Sequence, residues 1–300
     1  MNLRNTFSKK FCNNFNQNVD LSKFSWFNLG GKAEFFFKPD NKDQLLEFII
    51  EAKKNDLKVT ILGAGSNTLF RDKGVKGVVI KLGSNFSYTK LVKKNILETG
   101  AATLDRKVAN FAKDNSLTNF EFLSCIPGSI GGAIIMNSGC YENDISKILL
   151  SIHVVDLKNC IEREIKRDDI KFLYRGTNLS KDFIIISAKF QGSIKNKDQI
   201  EKKQLNFIEK KKLSQPSQIK TCGSTFKNIN KKKAWELIKE AGCDGFQEGD
   251  AVISKKHCNF FVNKGNAKSS DIEKLIKKVK DTVHVKTGVN LELEIKIIGE

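Results

Sequence analysis

Between Cys125 and Gly139 the chain reads Cys-Ile-Pro-Gly-Ser-Ile-Gly-Gly-Ala-Ile-Ile-Met-Asn-Ser-Gly, four glycines and a proline around a small apolar run with no charge. Glycine permits positive φ and removes the Cβ that would hold a flat or charged ligand away from the main chain. Such a segment is suited to pressing backbone against a ligand. A second small-residue loop, Gly63-Ala64-Gly65-Ser66-Asn67-Thr68, directly follows the apolar run Val59-Thr60-Ile61-Leu62. A strand running into Gly-x-Gly-Ser-Asn offers several amide N–H groups to an anion, as a phosphate-binding nest does. Either loop alone is as readily a tight turn. Together, one suited to phosphates and one to a planar ring, they point to a dinucleotide held in an extended pose.

The common dinucleotide fold does not account for them. A Rossmann fingerprint needs Gly-x-Gly-x-x-Gly between strand and helix. Here Gly63 and Gly65 are followed by Thr68, and Leu69-Phe70-Arg71-Asp72 does not open an amphipathic helix. No Gly-Lys-Ser/Thr follows a glycine loop, so a Walker site is excluded as well.

A chain of 300 residues has room for two or three subdomains. Its net charge of +18 invites a nucleic-acid reading. The make-up of that charge argues against one, because 46 of the 52 basic residues are lysines spread over nearly every polar segment. Aromatic residues are not interleaved with them as stacking platforms would require. A lysine-rich solvated surface, in a chain biased towards Asn, Ile and Phe as AT-rich coding would bias it, is the better account. The seven cysteines show no Cys-x-x-Cys pair, and Met1 to Asp20 is polar and unlike a signal peptide. Free thiols in a reducing cytoplasm fit this usage. The three histidines, at 153, 257 and 284, are isolated, so no metal site is expected. No apolar run approaches transmembrane length.

Pattern along the chain predicts mixed α/β structure. Ala33–Phe37, Lys58–Leu62 and Gly77–Leu82 read as strands, with Lys42–Lys54 an amphipathic helix between them. Leu104–Asn115 reads as a helix leading towards the 125–139 segment. Ile148–Leu157, Cys160–Lys166 and Phe183–Phe190 form a strand group, with Asp168–Tyr174 a short helix or turn. Residues 191–204 are lysine-rich and open a connecting helix at a domain boundary. The last third holds helix Lys232–Ala241, strand Asn259–Val262, helix Ser270–Lys286 and strand Asn290–Ile298. Ser270 with Glu273 three residues on reads as a capping box.

Three polar features suggest chemistry. In Phe172-Leu173-Tyr174-Arg175-Gly176 an arginine stands beside two aromatics in a chain where lysine is the default cation, which points to a need for its planar, bidentate fork on a carboxylate. Cys222-Gly223-Ser224-Thr225-Phe226-Lys227-Asn228 places a hydroxyl on a tight turn, where it can relay a proton. No Gly-x-Ser-x-Gly elbow surrounds Ser224, which removes a serine-hydrolase triad. In Leu291-Glu292-Leu293-Glu294-Ile295-Lys296, alternation puts the charged residues on one strand face, and composition does not decide which glutamate is buried. Each feature alone is equally a surface arginine, a turn serine or a solvated strand face.

As an ordered set, the motifs resemble the UDP-N-acetylenolpyruvoylglucosamine reductase family, the flavoenzymes that form UDP-N-acetylmuramate for peptidoglycan. The resemblance runs from about Ser25 to Gly299 and rests on Asn28-Leu29-Gly30-Gly31-Lys32-Ala33, Gly63 to Asn67, Ile126 to Ala133, Tyr174-Arg175, Gly223 to Asn228 and Leu291 to Glu294. It implies an α+β, α/β fold of the vanillyl-alcohol-oxidase (PCMH) type. Residues 1–24 would be an N-terminal extension, 25–195 an FAD-binding domain with subdomains of about 25–90 and 91–195, and 196–300 a substrate-binding domain. Non-covalent FAD would lie on Gly63, Ala64, Gly65, Ser66, Asn67 and Thr68, and on Pro127, Gly128, Ser129, Gly131, Gly132, Asn137 and Gly139. The family mechanism has NADPH reduce FAD, which passes hydride to the enolpyruvyl C3.

The resemblance assigns the C2 proton donor to Ser224, and the groups acting on the substrate carboxylate to Arg175 and Glu294. A glutamate beside a carboxylate would have to be protonated or bridged, which implies a raised pKa. Lys212, Asn228 and His257 would lie near the UDP group, Lys212 on the loosest alignment. The short stretch from Arg175 to Lys212 lacks a tyrosine-bearing insertion and so resembles the shorter subfamily. The implied partner is a small-molecule nucleotide sugar, with no nucleic acid and no membrane, and the protein a cytoplasmic monomer. Cys125 stands where the family has glycine and Ile229 where it has proline; Cys125 could present a reactive thiol beside the flavin. An FAD-dependent oxidoreductase of the same fold with another substrate is the alternative.

Overall fold

The computed structural model describes Phe7, Lys10, Phe11 and residues 13–229 and 232–300. Two compact units interleave along the chain. The first comprises residues 1–16, 35–64 and 77–211, the second residues 17–34, 65–76 and 212–300. These units exchange the chain four times before residue 211.

Before residue 195 the chain builds two large sheets. A four-stranded sheet runs in the order Phe15–Asp20, Lys32–Phe37, Val75–Ile80, Val59–Ile61, the last two parallel. The helix Lys42–Lys54 forms where predicted, with Asn41 accepting from the Gln44 N–H at its start. It buries Leu45, Phe48, Ile49 and Ala52 in a core with Phe37, Val78 and Ile80. Phe37 and Phe48 stack with ring centroids 3.8 Å apart. Phe7, Phe11 and Phe15, from the stretch read as an extension, are buried in the same core.

A five-stranded antiparallel sheet follows, in the order Ile161–Lys166, Leu149–Asp156, Phe183–Gln191, Ile96–Gly100, Thr89–Lys93. Its core takes Val108, Ala109 and Ala112 from helix Asp105–Asp114, and Ile130, Ala133 and Ile134 from helix Ile130–Ile135. The connecting helix runs from Lys197 to Ser214. The stretch read as a short helix or turn before Tyr174 is a 3-10 turn, Arg167–Asp169, followed by a minimal hairpin of Phe172–Leu173 and Gly176–Thr177.

The second unit packs helices Ala234–Glu240 and Ser269–Thr287 on an antiparallel sheet of Gln247–Glu248, Ala251–Ile253 and Phe261–Asn263. The capping box expected at Ser270 and Glu273 is not what starts the last helix. Lys268 N–H donates to Asp271 Oδ2 at 2.9 Å, Ser269 N–H donates to Asp72 Oδ1 at 2.8 Å, and Glu273 instead takes the Arg71 guanidinium. The final strand is shorter than expected, Lys296–Ile298, and pairs in parallel with Thr68–Phe70. Residues 290–295 are drawn out of regular pairing because Leu293 bridges Phe226 in isolation.

Candidate active site

In the first unit the two glycine loops meet. A Cβ built on Gly63 would stand 2.9 Å from Ser129 Oγ, so the glycine leaves an open notch beside that hydroxyl. Lys81 Nζ donates to the Gly63 carbonyl, and burial lowers the lysine pKa. The 125–139 segment is tied down by backbone bonds: Asp105 N–H to Gly128 C=O at 3.1 Å, Ile130 N–H to Thr103 C=O and Gly131 N–H to Ala101 C=O, both at 2.9 Å. Pro127 and Gly128 lead into the short helix, whose first turns carry Gly131 and Gly132. Gly139 has a packing reason of its own, since a Cβ there would lie 2.2 Å from the Asn143 carbonyl.

Asn137, buried and at φ 41°, donates from Nδ2 to the Leu173 carbonyl at 3.1 Å. That bond fixes the hairpin whose turn is Tyr174-Arg175. Arg175 takes φ 56°, a left-handed conformation that costs a side-chain-bearing residue roughly 1–2 kcal/mol. Its guanidinium lies 5.1 Å from the Tyr174 ring centroid. The sequence thus spends strain to aim this arginine, consistent with a functional placement.

In the second unit, Gly65 takes φ 72°, and a Cβ there would collide with the Phe24 carbonyl at 1.7 Å. Asn67 Nδ2 donates to the Glu294 carbonyl at 3.0 Å, and Lys296 N–H donates to the Asn67 carbonyl at 2.9 Å. Thr68 opens the strand paired with Lys296–Ile298, and its carbonyl lies 3.4 Å from Cys222 Sγ. Ala64 closes the segment of the first unit, and Ser66 is half-buried between the two glycine-loop anchors of the second. The loop, the Cys222–Asn228 stretch and the end of the chain are therefore woven together.

Ser224 is half-buried and follows Gly223, which sits at φ 81° with open space around it. Next to it, Thr225 donates N–H to the Asn259 carbonyl and accepts Glu294 N–H, both at 2.8 Å. Buried Asn259 clasps Phe226 from both sides, Oδ1 taking its N–H at 2.9 Å and Nδ2 donating to its carbonyl at 2.8 Å. The structure answers the question of the two glutamates. Glu294 is half-buried, whereas Glu292 is 72% exposed and pairs loosely with Lys227 at 3.5 Å.

Ser224 and Glu294 thus stand on adjacent backbone. His257 accepts Asn259 N–H on Nδ1 at 3.3 Å, and burial lowers its pKa, so it stays neutral at physiological pH. Asn228 Oδ1 accepts Ala234 N–H at 3.0 Å and so doubles as a helix cap. Lys212 is anchored through its carbonyl, which accepts Lys256 Nζ at 2.6 Å.

The sequence reading missed Asn259, although a buried asparagine bonded to both ends of one peptide is what holds Ser224 in register. It also missed Asp105, fully buried behind Gly128. Neither has a signal in sequence, because burial of a single polar residue depends on packing from distant segments. Among the described residues no cluster of metal-ligating side chains exists, and no helix is long and apolar enough to cross a membrane.

A notch free of Cβ between two backbone-lined loops, with a lysine against one of them, suits FAD. The fold is that of an FAD-dependent oxidoreductase of the vanillyl-alcohol-oxidase type. The FAD binding domain family matches residues 33–161, and the UDP-N-acetylenolpyruvoylglucosamine reductase, C-terminal domain family matches residues 215–298. The reductase of that name from Pelagibacter ubique is 45% identical over 97% of both chains. The one from Rickettsia akari is 39% identical over 95% of this chain and 96% of its own. The crystal structure of the enzyme from Thermus caldophilus superposes with a TM-score of 0.83 at 28% identity, covering 94% of this chain and 98% of its own. The chain belongs to the UDP-N-acetylenolpyruvoylglucosamine reductase family.

Proposed function

We propose that Ser224, Arg175 and Glu294 carry the reaction of this FAD- and NADPH-dependent oxidoreductase, the reduction of UDP-N-acetylglucosamine enolpyruvate to UDP-N-acetylmuramate for peptidoglycan. The observation that carries the assignment is the 2.8 Å bond from Glu294 N–H to the Thr225 carbonyl, extended by Asn67 onto the Glu294 carbonyl. It fixes the serine and the glutamate in one register with the phosphate-type loop.

Gly63 to Thr68 would hold the pyrophosphate of FAD, and Pro127, Gly128, Ser129, Gly131, Gly132, Asn137 and Gly139 the side of the flavin. When bound, FAD supplies to the enolpyruvyl C3 the hydride it takes from NADPH. Negative charge then spreads over C2 and the adjoining carboxylate. The Arg175 guanidinium stabilises that carboxylate through its two-pronged N–H face. Glu294, protonated, donates to the same group. Ser224 delivers its hydroxyl proton to C2. Neutral His257, with Nε2–H as donor, would contact the UDP group together with Asn228 and Lys212. We further read the enzyme as a cytoplasmic monomer.

The test is the anaerobic visible spectrum of wild type and Ser224→Ala. Both should bleach with NADPH, and only the wild type should regain its yellow band rapidly on adding the enolpyruvyl substrate. Equal loss of both half-reactions in the variant sinks the proton-donor role. A wild type that bleaches but never recovers points to another substrate on the same fold.

A further inference from the structure

Two cysteines bracket the flavin segment. Cys125 precedes it and Cys140 follows it, so that Ile126 to Gly139 lies wholly between them. In the fold Cys140 packs against the 3-10 turn Glu121–Cys125 that ends in Cys125, its thiol donating to the Phe122 carbonyl at 3.5 Å. Ser124 Oγ lies 3.7 Å from Cys125 Sγ. The Lys211 ammonium, which donates to the Cys125 carbonyl, and the Arg175 guanidinium both act electrostatically on the pair. The reductase mechanism uses neither thiol.

We propose that Cys125 and Cys140 are a redox modification site, closed by a hydroperoxide into a disulfide that ties the two ends of the flavin segment. The Cys125 thiolate attacks the outer peroxide oxygen. The O–O bond breaks, the alcohol leaves with a proton, and Cys125 becomes a sulfenic acid. The Cys140 sulfur then attacks the Cys125 sulfur. The S–O bond breaks, and water departs with the Cys140 proton. The two sulfurs give up two electrons, and one peroxide is reduced to alcohol and water.

Three observations set this pair apart from the other thiols. A thiol held against a second sulfur and beside a cation favours its thiolate form, and the Cys125 pKa is lowered to about 7, chiefly by the Cys140 thiol. Cys125 is buried at 6% exposure and Cys140 half-buried, so the route for a small oxidant to the Cys125 sulfur runs past Cys140. Cys222, by contrast, is buried with its pKa pushed up to about 12, which makes it an internal control.

The experiment treats the holoprotein with hydrogen peroxide, blocks remaining thiols with iodoacetamide under denaturing conditions, and maps the peptides by mass. The expected result is one cross-linked species joining Cys125 to Cys140, loss of two of the seven thiols, and full recovery with dithiothreitol. In Cys140→Ser, Cys125 should instead accumulate sulfenic acid trapped by dimedone. Oxidation confined to other cysteines, or progression of wild-type Cys125 to sulfinic acid without the cross-link, overturns the proposal. These readouts follow the bond itself, so they stand or fall independently of the flavin-site and Ser224 assignments.

Discussion

Asp105 begins the helix Asp105–Asp114 with its side chain 0% exposed, and neither carboxylate oxygen has a hydrogen-bond partner. Burial alone pushes its carboxyl well above the ordinary value of 3.8. The folded protein therefore holds this acid neutral at pH values where the unfolded chain has already ionised it. Folding binds one extra proton, and the stability from this site falls as pH rises above about 3.8. The slope is about 1.4 kcal/mol per pH unit for as long as the folded carboxyl remains protonated. Asp105→Asn keeps the shape and removes the titration. Its amide brings an unsatisfied-donor cost of about 1–3 kcal/mol, but one that does not change with pH.

The assay is urea unfolding of both proteins, saturated with FAD, at several values between about pH 5 and about pH 7. Every other titrating group is common to the two and cancels in the difference. The stability of the variant relative to wild type should climb with pH, by about 1.4 kcal/mol for each unit over which the folded carboxyl stays protonated. Parallel profiles would refute the reasoning, for they would mean that the carboxyl is solvated or paired in solution. Because Asp105 N–H holds the Gly128 carbonyl, and a Cβ on Gly128 would come within 2.6 Å of Asp105 Oδ2, the ionisation also strikes the flavin loop directly.

Three further outcomes follow from the same geometry. Gly63→Val fills the notch beside Ser129 Oγ at a cost of about 1–3 kcal/mol, so the FAD dissociation constant read by flavin fluorescence should rise roughly 10-fold or more; unchanged affinity would remove Gly63 from the cofactor site. Arg175→Asn suits the left-handed turn and should keep wild-type melting behaviour, Arg175→Val should lose about 1–2 kcal/mol, and both should lose most turnover if the guanidinium acts on the substrate carboxylate. Asn259→Ala strips two buried bonds from Phe226 and should cost about 2–3 kcal/mol in urea unfolding, with kcat falling while flavin reduction by NADPH persists.

How far the sequence could be read depended on the range of the forces involved. Helix Lys42–Lys54 was legible because its apolar spacing, Asn cap and basic last turn are all local and agree. The strands Leu149–Asp156 and Phe183–Gln191 were legible for the same reason, being long enough to show their pattern. The hairpin around Arg175 was not. Its strands are two residues each, too short for any period, and an arginine at positive φ runs against local preference.

The end of the chain failed differently. Leu291 to Ile298 alternates like one strand, yet Glu294 N–H is taken by Thr225 and Lys296 begins a separate parallel pairing with Thr68. Two partners drawn from segments more than 60 residues away compete for one stretch, and no local pattern records that competition. The interleaving of units has the same origin, since residues 65–76 leave their sequence neighbours to join the C-terminal segment. The residues proposed to carry the chemistry could be named from their motifs, whereas what holds them in place, Asn259 for Ser224 and Asn137 for Arg175, was visible only once long-range pairing was complete. A site built at such junctions should be sensitive to its holders. That is why Asn259→Ala, which touches no reacting atom, is expected to separate turnover from flavin reduction.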